Sequence, residues 1–113
     1  MNSETSLPID PALITTADAI PGLRHRFLGL VIGVAVREAG RFDIAKDADA
    51  TAAACEQIRF QALTRMAMRA AQLRANAIVG VKYETTMIGK SGIAESKPRA
   101  EVCAYGTAAW VEP

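Results

Sequence analysis

A guanidinium and two carboxylates stand in stretches that are otherwise apolar or strand-forming: Arg59, Glu84 and Glu101. Counting 100° per residue along a helix from Cys55, Arg59 falls at about 40°, between Met66 at about 20° and Ala70 at about 60°. A guanidinium inside that stripe needs a carboxylate or carbonyl, because burying an unpaired charge is costly. Glu84 or Glu101 can supply the partner. A structural or intersubunit ion pair is therefore the first expectation and a ligand-binding role the second. Arg69, near the opposite edge of the stripe, raises the same question less sharply. The two carboxylates can also meet across a hairpin and raise one another's proton affinity. A bridging Lys82 or Arg59 is the plainer account of such a pair. Tyr83, Tyr105 and Trp110 offer ring faces for stacking, although so few aromatic residues favour core or interface packing.

Cys55, Cys103 and His25 are the soft or borderline metal donors, with Glu84 and Glu101 as oxygen donors. Zinc sites gather three or four ligands, often announced by close pairs such as C-x-x-C or H-x-x-x-H. Neither spacing occurs. Cys55 also sits at the centre of the apolar stripe, where cysteine behaves as a small hydrophobe. A divalent ion held by one chain is thus disfavoured, and a site shared between subunits stays open. The sequence has no G-x-S-x-G elbow, P-loop or dinucleotide fingerprint in its required context. The lone His25 lies between Arg24 and Arg26, with nothing to suggest a nucleophile beside it.

The elements that must position these residues follow from period and punctuation. Residues 1–12 read as a flexible arm, and 13–113 as one domain. Leu13 to Ile20 is expected as a short edge strand, closed by the Pro21-Gly22 turn. Arg24 to Val36 reads as a long strand without clean alternation, so both its faces should be covered, one by a neighbouring subunit. Gly29 and Gly33 share a face there and suit a bend or a close backbone approach. Glu38 to Asp49 is a polar connection, and Asp49 or Thr51 is expected to cap a helix over 52–75. Cys55, Ala62, Met66, Ala70 and Leu73 form its narrow inward face, and Asn76 is the expected left-handed terminator. Ile78 to Ile88 and Arg99 to Val111 read as strands of an antiparallel hairpin around a polar loop at 89–98.

Composition limits the partners. Half of the 113 residues are hydrophobic, many of them alanine, and only three Phe, two Tyr and one Trp supply large rings. Small helix and sheet faces of this kind need a partner, and self-association is the simplest source. Thirteen Lys and Arg against twelve Asp and Glu leave a net charge of +1. That balance argues against wrapping nucleic acid or an anionic membrane. The apolar run from Phe27 to Val36 is too short for a helical span. With no signal-peptide pattern and two cysteines that read as free thiols, a cytoplasmic location is expected.

The segment R-A-N-A-I-V-G-V-K-Y-E at Arg74 to Glu84 switches from helical to strand spacing within a few residues. With R-x-x-A-L-x-R-M from Arg59 to Met66 and E-V-C-A-Y-G-T-A at Glu101 to Ala108, it resembles the small bacterial YbjQ-like family. That family carries the labels UPF0145 and "putative heavy-metal-binding domain". The likeness spans roughly residues 13 to 111. It implies an α+β, dodecin-like β-α-β-β arrangement, with one long helix on an antiparallel sheet. It also implies a homopentameric ring in which neighbouring strands build a continuous centre, and it brings no settled activity. Arg59, Glu84 and Tyr105-Gly106-Thr107 match recurrent polar positions. Arg74 stands where the family commonly has glycine. The expected function is accordingly an oligomeric metal- or small-molecule-binding protein without demonstrated catalysis. Its expected ligand set is Arg59, Glu84, Glu101 and Tyr105; its expected metal set is Cys55, Cys103 and His25. The alternatives are a purely structural or protein-interaction ring, and a hydrolase-like enzyme using Glu84 and Glu101 between subunits.

Overall fold

The structure, a computed structural model, describes residues 7–38, 48–88 and 99–113. Strand β1 (Arg24–Glu38) leads to helix α1 (Ala48–Gln72), then strands β2 (Ala77–Ile88) and β3 (Arg99–Glu112). The sheet is antiparallel, in the order β1-β3-β2, so the chain's last strand is the central one. Residues 1–6 of the expected arm (1–12), most of the polar connection (39–47) and the hairpin loop at 89–98 lie outside the described residues, whereas Ile9 of that arm is buried in the core with Leu7 packed against it. No helix among the described residues is long and apolar enough to cross a membrane.

The helix covers one face of the sheet. Its inward row is Ala54, Ile58, Ala62, Met66 and Ala70, all buried, with Ala67 beside them. Below it lie Val31 and Ala35 of β1, Val81 of β2, and Ala100, Val102, Ala104 and Ala108 of β3. Gly33 is what lets the helix come so close: a Cβ there would collide with the Ala62 carbonyl and the Met66 amide. Gly29, with φ of 140°, sits at a bulge in β1 between Phe27 and Gly29. A strand that bends there follows the helix rather than running flat beneath it.

This row corrects the expected stripe. Cys55 and Leu73 are exposed, and so is Arg59. Steps of four residues advance about 40° beyond a full turn, so an i, i+4 row winds slowly around the helix. A twisted sheet presents a contact line that winds in the same way. A single fixed face, centred on Cys55, misses that drift and places Arg59 inside when it lies on the flank.

The ends of the elements also differ from expectation. The helix begins at Ala48, so Asp49 and Thr51 fall in its first turn rather than ahead of it. Its left-handed terminator is Arg74 (φ 64°), with the Ala75 amide donating to the Ala70 carbonyl at 3.1 Å. Asn76 serves instead as a clamp on β3. Its Nδ2 donates to the Val111 carbonyl at 2.8 Å and its Oδ1 accepts from the Val111 amide at 2.7 Å. The expected edge strand at 13–20 reduces to a 3-10 turn at Pro11–Leu13 and an isolated parallel bridge, Ile14 to Ile78. Its amides and carbonyls still run along β2, with Thr15 bonded to Ile78 and Val81, and Ala17 to Gly80. The register shift in β2 between Val79 and Lys82 falls where this contact would extend into a ladder.

Candidate functional site

The second sheet face, opposite the helix, divides into a covered end and a bare end. Leu13, Ile20 and Leu23 pack on Ala77, Ala109 and Val111 at the covered end. His25 fastens that cover: the Ile20 amide donates to Nε2 at 2.9 Å, and Nδ1 donates to the Leu23 carbonyl at 3.0 Å. Both ring nitrogens are thereby engaged with the turn around Pro21 and Gly22.

At the bare end the strand register assembles a patch from residues far apart in sequence. Ile32 of β1 lies across from Tyr105 of β3, which lies across from Lys82 of β2. The next row is Val34, Cys103 and Glu84, and the row after it Val36, Glu101 and Thr86. The Tyr105 hydroxyl donates to Glu84 Oε1 at 3.3 Å. Partial burial, and then the charge and hydrogen bond of Glu84, raise the Tyr105 phenol above its ordinary value. Along β1 the side chains on this face are aliphatic and exposed: Leu30 at 66%, Ile32 at 42%, Val34 at 37% and Val36 at 49%. The bare end therefore combines an aliphatic border with a central polar line of Glu101, Cys103, Tyr105 and Glu84.

The candidate residues separate into two groups. Glu84, Glu101, Tyr105 and Cys103 come together on the bare face. Glu84 and Glu101 are diagonal rather than opposite, since their register partners are Cys103 and Thr86. Among the described residues no ion pair joins Arg59 or Lys82 to either carboxylate. Arg59 instead lies on the helix, where its charge lowers the Tyr83 phenol, though burial has the larger effect and leaves that phenol raised. Cys55 is exposed on the helix, and His25 belongs to the covered end. Cys55 and Cys103 are both free thiols. Among the described residues no three His, Cys, Asp or Glu side chains gather as a metal cradle. Within one chain the described donors therefore do not fit the metal that the sequence resemblance implies.

One feature was not anticipated. Beside the exposed aliphatic row of β1, the strand whose second face the sequence leaves to a neighbour, Arg65 of α1 donates from Nη1 to the Val34 carbonyl. Arg65 and Arg69 are spaced i, i+4, which is the sequence signal that they share one side of the helix.

Three comparisons bear on this architecture. A family model described as "Putative heavy-metal-binding" matches residues 12–112. A UPF0145 protein of Saccharolobus islandicus is 34% identical, across 91% of this chain and 93% of its own. A UPF0145 protein of Burkholderia thailandensis is 38% identical, across 88% of this chain and 92% of its own. Among solved structures, a protein with unknown function of the DUF74 family from Pediococcus pentosaceus superposes with a TM-score of 0.69. That match covers 88% of this chain and 96% of the other at 21% identity, and so speaks for the fold alone.

Proposed function

Since the chain belongs to the YbjQ-like, UPF0145 family, we propose that it works as a non-catalytic binding module built from several copies of itself. The copies meet over the bare end of the sheet, in a ring of five as the family resemblance implies, in the reducing cytoplasm. One observation carries this: four consecutive outward side chains of β1, Leu30, Ile32, Val34 and Val36, are aliphatic and exposed. A contiguous apolar strip of this kind, bordered by polar residues, marks a contact surface rather than a solvated one. Each of the four is about half exposed, so covering it contributes on the order of 1 kcal/mol.

The polar line beside the strip would then lie within or against the contact. Glu84, Tyr105, Cys103 and Glu101 of one copy are the groups available there to hold a ligand. If the ligand is a soft divalent ion, its donor set must combine more than one copy, with Cys103 as the soft donor nearest the contact. Native mass spectrometry of the full chain with a panel of divalent metals tests this. The expected result is an assembly that takes up metal in a fixed ratio to its copies, and loses that uptake in Cys103→Ala but not in Cys55→Ala. Uptake that survives both substitutions would remove the thiols from the site.

A further inference from the structure

His25 is the chain's single histidine, and it stands where the cover over the second sheet face is fastened. Leu13, Ile20 and Leu23 of that cover pack on Ala77, Ala109 and Val111, and the Pro21-Gly22 turn leads from it into β1. Within the turn the Leu23 amide reaches the Ile20 carbonyl only at 3.4 Å. The two shorter bonds belong to the imidazole, between the Ile20 amide and Nε2 at 2.9 Å and between Nδ1 and the Leu23 carbonyl at 3.0 Å. A backbone amide can only donate and a carbonyl can only accept. The bonding therefore requires a neutral ring with its proton on Nδ1 and a lone pair on Nε2. A proton added at Nε2 turns that acceptor into a second donor and sets N–H against N–H. The Ile20 amide then loses its partner, while the bond to Leu23 survives. We propose that His25 is a proton-operated latch. Neutral imidazole holds Ile20 and the turn against the sheet, and imidazolium releases residues 18–23 from Ala77, Ala109 and Val111.

The release is local. Upstream, Thr15 and Ala17 keep their backbone bonds to β2, and downstream the chain is already part of the sheet. Among the described residues no charged group is bonded to the ring. Alternation along β1 turns Arg24 and Arg26 to the other face. Glu112 of β3 lies opposite Arg24 and pairs with it at 3.7 Å. Asp18 of the cover is directed toward β2, its Oδ1 3.8 Å from where a Cβ on Gly80 would stand. At this end β2 brings Ala77, Ile78 and Val79, none of them titratable, and the ring beside His25 is the neutral Phe27 at 5.8 Å. Water reaches the imidazole from an open pocket of about 280 Å³ lined by Arg24, His25, Arg26, Trp110 and Glu112, so the proton has a path from solvent. The latch lies at the covered end, outside the proposed contact between copies, and the two fail or hold independently.

Nuclear magnetic resonance of the full chain tests this, because one histidine gives one set of ring signals. At the basic end of the titration the ring nitrogens should report the tautomer with the proton on Nδ1. As the pH falls from about 8 to about 5, a span that brackets histidine titration in general, the Ile20 amide should shift with the same midpoint as the ring. Its exchange with solvent, corrected for the intrinsic effect of pH, should become roughly tenfold faster, since one such bond is worth about that factor. The Thr15 amide, bonded to the Ile78 carbonyl, should keep its protection. In His25→Gln the side-chain oxygen accepts from Ile20 and takes no proton in this range, so the corrected exchange of Ile20 should not depend on pH. The proposal is overturned if the ring stays neutral to about pH 5, or titrates while the Ile20 amide neither shifts nor exchanges faster. It is equally overturned if a folded His25→Gln loses Ile20 protection on acidification as the wild type does. Should that variant not fold, the wild-type comparison of Ile20 with Thr15 decides alone: equal loss of protection at both amides overturns the latch.

Discussion

Among the described residues, the Tyr105 hydroxyl and the Glu84 carboxylate are the one polar pair that the register closes on the bare face. Desolvation holds the phenol proton first, and an acceptor with a negative charge acts in the same direction. The folded state therefore binds that proton more tightly than the unfolded chain does. Its contribution to stability is complete below the ordinary tyrosine range and is lost as pH rises through the raised folded value. Replacing Glu84 with Gln removes the charge while leaving an acceptor. Spectrophotometric titration should then find one phenol shifted down toward the ordinary value and the other, Tyr83, unmoved. A Tyr105 midpoint indifferent to Glu84→Gln would mean that burial alone sets it. At this scale the sequence was informative wherever alternation applies. Glu84, Glu101, Cys103 and Tyr105 all lie on strands, where a period of two fixes which side chains share a face. Arg59 was misplaced because a helix face has no such rigid period once the surface beneath it twists.

The junction between helix and strand was the most legible element, and its closing residue is the least comfortable one. Arg74 takes φ of 64° where α1 stops, a region that costs a residue with a Cβ about 1 kcal/mol relative to glycine. Nothing among the described contacts ties its side chain to that conformation. Arg74→Gly should therefore stabilise the protein by roughly 0.5–1 kcal/mol, raising the denaturant midpoint without changing its slope. A lower midpoint would mean that the guanidinium has a role that outweighs the backbone strain. The strand limits were readable because β-branched runs end at turn residues, as at Pro21-Gly22 and Ala75-Asn76. The edge strand over 13–20 was not, because the backbone bonds of Thr15 and Ala17 depend on a bulge in β2. Gly33 is an intermediate case. Its sequence suggests a close approach, and only the fold identifies the helix backbone at Ala62 and Met66 as the group that approaches.

Taken whole, the chain is more extended than a compact domain of its length. Its radius of gyration is 16.5 Å, against about 13 Å expected of a compact domain of this length. A three-stranded sheet with one helix has a single covered face, and here residues 13–23 cover only one end of the other. The composition anticipated that shortage, since a chain rich in alanine and poor in large rings cannot shield both faces of a sheet. What composition could not specify is where the deficit falls. It falls on β1, because β1 stands at an edge of the sheet and β3, the last strand made, occupies the centre. The central claim is that copies of the chain close over this strip. Sedimentation of the wild type and Ile32→Glu at micromolar concentration tests it most directly, because a charge at the middle of the strip should block association while leaving the helix-covered core intact. The account predicts a wild-type mass of several chains, five in a closed ring, and a folded single chain for Ile32→Glu. A wild type that stays a folded single chain at high concentration, or an Ile32→Glu variant that keeps the wild-type mass, would contradict it.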